Sequence, residues 1–202
     1  MPKVLITAFG PYANYADNAS WLALMELTRD YPELSGVTTR RYPVDFEETR
    51  ERLEKDLQTA YDVILHVGQS VGANAIELEQ IALNVGRHSE APADESFDLI
   101  SDGPVAYRSA LPLAEWSRLI RTAGIPCKVS HHAGTFLCNA VLYWTSHLIA
   151  TNRWNSQVGF IHLPLSPQQD GATTSNHPML PTSMAANALH IILQQLQGPQ
   201  VA

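Results

Sequence analysis

The run Tyr61-Asp62-Val63-Ile64-Leu65-His66-Val67, with Gly68 after it, reads as a strand buried within a sheet. It is apolar, rich in branched side chains and too short for a helix, and Gly68 is the expected stop. A second run of the same kind, Lys3 to Phe9 (KVLITAF), ends at Gly10-Pro11. Cys127 to Ser130 and Val158 to His162 are two shorter ones, and Val37 to Val44, containing Pro43, suits a strand at a sheet edge. Glu77 to Val85 alternates less cleanly and is also read as a strand. Helical periodicity fills the intervals. Trp21 to Thr28 follows a cap at Asn18 or Ser20, and Phe46 to Gln58 carries Phe46, Leu53 and Leu57 on one face. Leu113 to Thr122 has Pro112 in its first turn and Gly124 at its end; Phe136 to Ala150 is apolar, and Pro181 opens a last helix to Leu196. Strands alternating with helices imply βαβ units and a mainly parallel sheet. The segment from Gly86 to Leu111 has no clear period, contains Asp102-Gly103-Pro104 and reads as a long surface excursion.

The chain has 202 residues. At about 150 residues per domain this is one α/β domain spanning residues 1–202, large enough for a core without disulfides or a structural metal. Hydrophobic residues make up 45% and charged residues 16%, which excludes a disordered chain. The net charge of −7, with no Lys/Arg cluster, argues against nucleic acid and anionic membranes as partners. No apolar stretch is long enough to span a bilayer, and the residues after Met1 lack the pattern of a targeting segment, so a cytoplasmic location is expected. The two cysteines, Cys127 and Cys138, form no disulfide framework and no metal-ligand spacing.

Ligands of open parallel sheets collect beyond the carboxyl ends of the strands, so reactive side chains matter most there. Cys138 falls where a turn enters a helix, in Ala133-Gly134-Thr135-Phe136-Leu137-Cys138-Asn139. A thiol in a first helical turn feels the positive end of the dipole, which favours the thiolate, and the amides there can hold an oxyanion. The competing reading is a buried core cysteine. His162 ends the strand Val158 to His162, where it is either a general base or a packed histidine at the sheet margin. Glu79, among Ile76, Leu78, Ile81 and Leu83, is either a buried carboxylate that needs a partner or an outward-facing neighbour of Glu77. Jointly they supply a nucleophile, a base and an orienting group. His131 and His132 are adjacent and point to opposite strand faces; His147 is read as packed, and no metal, nucleotide or Gly-x-Ser-x-Gly signature is present.

The sequence resembles the pyroglutamyl peptidase type I (pyrrolidone-carboxylate peptidase) family nearly end to end. Thr7-Ala8-Phe9-Gly10-Pro11-Tyr12 with Asn18-Ala19-Ser20 resembles that family's opening Thr-Gly-Phe-x-Pro-Phe and Asn-Pro-Ser. Tyr42-Pro43-Val44 with Phe46, His66-Val67-Gly68-Gln69, Asp102-Gly103-Pro104 and Pro181-Thr182-Ser183-Met184 resemble further segments. Ser130 to Asn139 and Gly159-Phe160-Ile161-His162-Leu163-Pro164 are the most specific. The departures are Ala8, Tyr12, Ala19, Glu77, Gln80 and His132, which mark a divergent member.

The resemblance implies a single-domain three-layer α/β sandwich, with a mixed, mainly parallel central sheet flanked by helices, of the phosphorylase/hydrolase-like kind. It implies removal of an N-terminal pyroglutamyl residue from peptides, with Cys138 as nucleophile, His162 as base and then acid, and Glu79 orienting the imidazole. It also implies a lactam site formed by Phe9, Tyr12, Asn18, Gln69 and the backbone of Leu137, no metal or organic cofactor, and assembly as dimers or tetramers. The other readings are the same triad acting on a different lactam or small N-acyl substrate, and a non-catalytic homologue that binds N-terminally blocked peptides.

Overall fold

A computed structural model describes residues 2–89, 91–92, 94–169 and 176–198. Seven strands, β1 (Val4–Phe9), β2 (Val37–Tyr42), β3 (Val63–Gln69), β4 (Ile76–Leu83), β5 (Ala106–Arg108), β6 (Cys127–His132) and β7 (Gln157–Leu163), form one sheet. The helices are α1 (Ala19–Asp30), α2 (Phe46–Asp56), α3 (Leu113–Thr122), α4 (Leu137–Asn152) and α5 (Thr182–Gln197).

Helix starts follow local chemistry. Asn18 caps α1 by accepting from the Ser20 amide, and Asp45 caps α2 by accepting from Glu48. Gly124 closes α3 with φ +79°, a conformation that favours glycine. Pro43 stands just beyond β2, which lies at the sheet edge as expected.

The sheet order is β2-β1-β3-β7-β4-β5, with β6 along the other edge of β4. The β1–β2, β1–β3, β3–β7 and β4–β6 pairs are parallel, whereas β4 runs antiparallel to both β7 and β5. The sheet is therefore mixed and mainly parallel. Helices α1, α3 and α5 bury their apolar sides with Ile6, Leu65 and Ile161 in one core. Helices α2 and α4 do so with Leu5, Ile64 and Phe160 in the other. Alternate residues of β1, β3 and β7 thus feed opposite layers, which is why those strands read as unbroken apolar runs. This is a three-layer, single-domain α/β architecture. No helix among the described residues is long and apolar enough to cross a membrane.

Two expectations need correction. Gly68 does not end β3; the strand continues to Gln69, with Gly68 paired to His162. A Cβ on Gly68 would lie 2.6 Å from Phe160 Cζ and 3.2 Å from Cys138 Sγ, so the glycine is there for close approach. Gly68→Ala is accordingly expected to cost about 1–3 kcal/mol through overpacking. It should also displace the Cys138 thiol, lowering both the melting temperature and turnover; an alanine variant with wild-type values of both would contradict this. The excursion from Gly86 to Leu111, of which residues 90 and 93 lie outside the described residues, is not without regular structure. It bridges Gly86 to Phe97, buries Leu99 and adds β5 to β4. Three residues with a half-exposed centre, as in β5, carry too little periodicity to be read beforehand.

Candidate active site

The carboxyl ends of β1, β3 and β7 bring Phe9, Gln69 and His162 to one end of the sheet, and the N-termini of α1 and α4 flank it. A cavity of about 470 Å³ opens there. Its wall contains Phe9, Tyr12, Asn18, Gln69, Glu79, Leu137, Cys138 and His162, so all eight residues singled out from the sequence meet in one place.

Cys138 is the second residue of α4, whose start at Phe136 has no side-chain cap. The first amides of a helix have no acceptor within it, so they remain available beside the thiol. Asn139, fully buried, ties this turn to the end of β4: it accepts from the Leu83 amide and donates to the carbonyls of Leu83 and Val85, each at 2.9 Å. The helix start is thereby held against the strand that carries Glu79. The Cys138 thiol is half-buried and free, and it faces the His162 ring closely enough to raise the proton affinity of the imidazole. Cys127, the other free thiol, is buried in β6, and burial pushes its pKa up. It lies outside the cavity wall, in keeping with a structural role.

The antiparallel β4–β7 register sets Glu77 directly opposite His162 and Glu79 opposite Phe160. Alternation then puts Glu77 and Glu79 on the same sheet face as His162, with Glu79 diagonal to it. The His162 Nδ1–H donates to Glu79 Oε1 at 2.7 Å. Glu79 is 1% exposed, which removes the reading of an outward-facing strand residue. Burial alone pushes the His162 pKa down, but the facing Cys138 sulfur and the Glu79 carboxylate outweigh it and raise the imidazole to about 10. The ring therefore favours the imidazolium form next to the sulfur.

Histidine 66, in contrast, is fully buried between the hydroxyls of Thr7 (2.7 Å) and Thr145 (2.9 Å), and burial lowers its pKa to about 3. It is a neutral structural histidine.

Glu77, His162 and Glu79 offer ligand atoms within 4.8 Å of one another. Those atoms are engaged otherwise: Glu77 pairs with Lys128 at 3.0 Å, and the His162 Nδ1 carries the proton given to Glu79. The donor set fits an ion-pair network better than a cation.

The aromatic wall is larger than the sequence reading had it. Phe136, immediately before α4, packs against Tyr12 with ring centroids 5.8 Å apart and lines the cavity with Phe9. Its position two residues before the thiol was the available signal. Glu77 and His132 also line the cavity, whereas Gln80 does not, because strand alternation turns it to the opposite face from Glu79. Asn18 shapes the wall through its cap and by donating from Nδ2 to the Gly10 carbonyl at 3.0 Å.

Comparison with known proteins gives one consistent result. A model of the pyroglutamyl peptidase family matches residues 2–197. Pyrrolidone-carboxylate peptidase 1 of Ralstonia nicotianae is 35% identical over 187 residues, covering 90% of this chain and 85% of that protein. The pyrrolidone-carboxylate peptidase of Streptomyces coelicolor is 34% identical over 96% of this chain and 91% of its own. Among solved structures, pyroglutamyl peptidase I from Bacillus amyloliquefaciens superposes with a TM-score of 0.84 at 29% identity, covering 94% of this chain and 92% of that one. The pyrrolidone carboxyl peptidase of Fervidobacterium islandicum gives 0.83 at 26% identity, with 96% and 97% covered. With the family match spanning nearly the whole sequence and the same architecture recurring in the solved relatives, this chain belongs to the pyroglutamyl peptidase family.

Proposed function

We propose that this protein is a cysteine exopeptidase that hydrolyses the amide bond after an N-terminal pyroglutamyl residue of a peptide. The observation that carries this reading is the line Cys138–His162–Glu79 in an open, aromatic-walled cavity, in a chain of the pyroglutamyl peptidase family.

The chemistry follows from the groups present. The Cys138 sulfur, as thiolate, attacks the pyroglutamyl carbonyl carbon, and the developing oxyanion is met by amides of the first turn of α4. The imidazolium of His162 gives its proton to the departing amine nitrogen as the C–N bond breaks, leaving a thioester. Water, deprotonated by His162, then attacks the thioester carbon, and pyroglutamate leaves as the sulfur takes back its negative charge. Glu79 orients the imidazole and stabilises its charge throughout. The sequence of steps closes without a metal or organic cofactor.

The lactam ring suits the space between Phe9, Tyr12 and Phe136, whose faces offer apolar contact without charge. Gln69 and the Leu137 backbone supply polar contacts for a ring that has one donor and one acceptor. Open-chain glutamine is thicker and carries a charged amine, so it fits neither the walls nor the pairing. Because the nucleophile is a free thiol, a reducing compartment such as the cytoplasm is the expected setting.

The experiment is release of a fluorophore from amides of pyroglutamate, proline, glutamine and acetylglycine by the reduced protein. Pyroglutamyl amide should be turned over in preference to the others by about 10⁴-fold or more, the discrimination typical of a site built to pair with a substrate's polar groups. Preferred turnover of the acetylglycine amide would replace this reading with a broader N-acyl one, and no turnover of any would remove it.

A further inference from the structure

Gln69 enters the cavity wall at the end of β3 with an uneven set of hydrogen bonds. Its Oε1 accepts twice, from the Ala19 amide at 2.9 Å and from Gln169 Nε2 at 2.7 Å. Its own Nε2 is buried and has no hydrogen-bond partner among the described residues. A buried amide nitrogen in that state destabilises the empty protein unless something supplies an acceptor.

The orientation of Gln69 is set from outside the cavity. Gln169 lies in the turn that follows β7, closed by its amide donating to the Ser166 carbonyl at 3.1 Å, and is 2% exposed. Its Oε1 accepts from the Ser166 amide at 2.8 Å, and its Nε2 donates to the Asp17 carbonyl at 2.8 Å as well as to Gln69. A backbone N–H only donates and a backbone carbonyl only accepts, so neither anchor tolerates a flipped side-chain amide. Ser166 requires the oxygen of Gln169 on its side, and Asp17 requires the nitrogen on the other. The atom that Gln169 offers to Gln69 is therefore a donor, and Gln69 must answer with its oxygen. The Ala19 amide demands the same oxygen independently. The N–H groups are what remains of the hydrogen-bonding capacity of Gln69, a residue that lines the cavity with Cys138 and Phe136.

We propose that Gln169 is a positioning residue that, together with the Ala19 amide, holds the polarity of the Gln69 amide, so that the cavity presents a buried donor to a carbonyl acceptor on the ligand. The proposal rests on the pyroglutamyl reading only for the identity of that acceptor, the ring carbonyl of the lactam; the orientation of Gln69 stands without it. A pyrrolidine ring lacking the carbonyl, as in proline, leaves the donor unmatched, which makes Gln169 a determinant of specificity acting at one remove.

Two arms test this. In the kinetic arm, Gln169→Leu is expected to raise KM for a pyroglutamyl amide and the inhibition constant of 2-pyrrolidinone together by about tenfold, equal to about 1.4 kcal/mol. The value of kcat should stay within about twofold, because only binding of the ring is touched. Gln69→Leu should cost at least as much, and the double variant no more than Gln69→Leu alone, since Gln169 acts through Gln69. Gln169→Glu, which keeps the acceptor for Ser166 and sets a second acceptor against Gln69 Oε1, should raise KM further than Gln169→Leu. Additive losses in the double variant, or a fall in kcat at constant KM, would overturn the proposal. In the second arm, the side-chain amide protons of the wild-type protein are followed by ¹⁵N NMR. Those of Gln169 should exchange slowly with water in the free protein, and those of Gln69 should shift on addition of 2-pyrrolidinone. Fast exchange at Gln169 overturns the proposal whatever the enzymatic result. If wild-type protein fails to cleave pyroglutamyl amides, the functional reading falls, while slow exchange at Gln169 still upholds the orientation of Gln69.

Discussion

Cys138→Ala is expected to lower kcat for pyroglutamyl amide hydrolysis by about 10⁴–10⁶-fold, with the fold intact. The size of the effect follows from the proposed role. Without the sulfur no thioester forms, and what remains is the small acceleration that binding and the amides at the start of α4 give to direct attack by water. The side chain is half-buried at the cavity wall and packs only against the margin of the core that α2 and α4 share, so loss of its sulfur leaves the buried residues of α4 in place. The comparison is made by progress curves at matched concentration, with circular dichroism to establish folding. Alkylation gives an independent reading. Iodoacetamide should label Cys138 and abolish turnover in step, while Cys127, buried in β6 with its pKa pushed up by burial, stays unmodified. Turnover that survives complete alkylation of Cys138 would dismiss it as the nucleophile.

Glu79→Gln is expected to have the next largest effect, a fall in kcat of about 10²–10⁴-fold. The substitution keeps size and an oxygen for the His162 Nδ1–H but removes the charge that faces the imidazolium. Burial drives the His162 pKa down, and Cys138 together with Glu79 drives it up to about 10. Removing the Glu79 charge takes away part of the upward push, so the imidazole loses its proton at lower pH. Because the proposed leaving-group step needs that proton, the alkaline limb of the kcat/KM profile should move to lower pH in the variant. A profile parallel to that of wild type would mean that Glu79 does not act through His162. The other oxygen of Glu79 is buried without a hydrogen-bond partner among the described residues, so the amide that replaces it gains no ready acceptor and the variant is expected to be less stable as well.

The Cys138 and His162 positions were legible in the sequence because each depends on a local boundary. One is a turn entering a helix, the other a strand running into Leu163-Pro164. Glu79 was not legible in the same way. It stands among Ile76, Leu78, Ile81 and Leu83 but also beside Glu77 and Gln80, and a carboxylate in such a stretch could equally have faced solvent. What fixes it is the antiparallel placement of β4 beside β7, which pairs Glu77 with His162 across 85 positions of chain and carries Glu79 to 2.7 Å from the imidazole. Nothing in an alternating pattern states the direction in which a strand will be laid down. The pattern of side chains singled Glu79 out but left both readings open, and the resemblance to known peptidases gave it its expected role.

The sequence by itself determined the order of the helices and of every strand but β5, the burial of β1, β3 and β7 on both faces, and the start of α1 near Asn18 or Ser20. These depend on side-chain periodicity and on hydrogen bonds reaching no further than the next turn. The tertiary structure alone decided that Gly68 lies within β3 as the gap into which Phe160 and the Cys138 sulfur fit. It alone brought β5 onto β4, turned Glu77 into the cavity, and set Gln169 against Gln69 from 100 residues away. The physical reason is common to all of these. Each is a contact between segments remote in the chain, and its geometry follows from how the layers close over the sheet, which no local stretch of residues encodes.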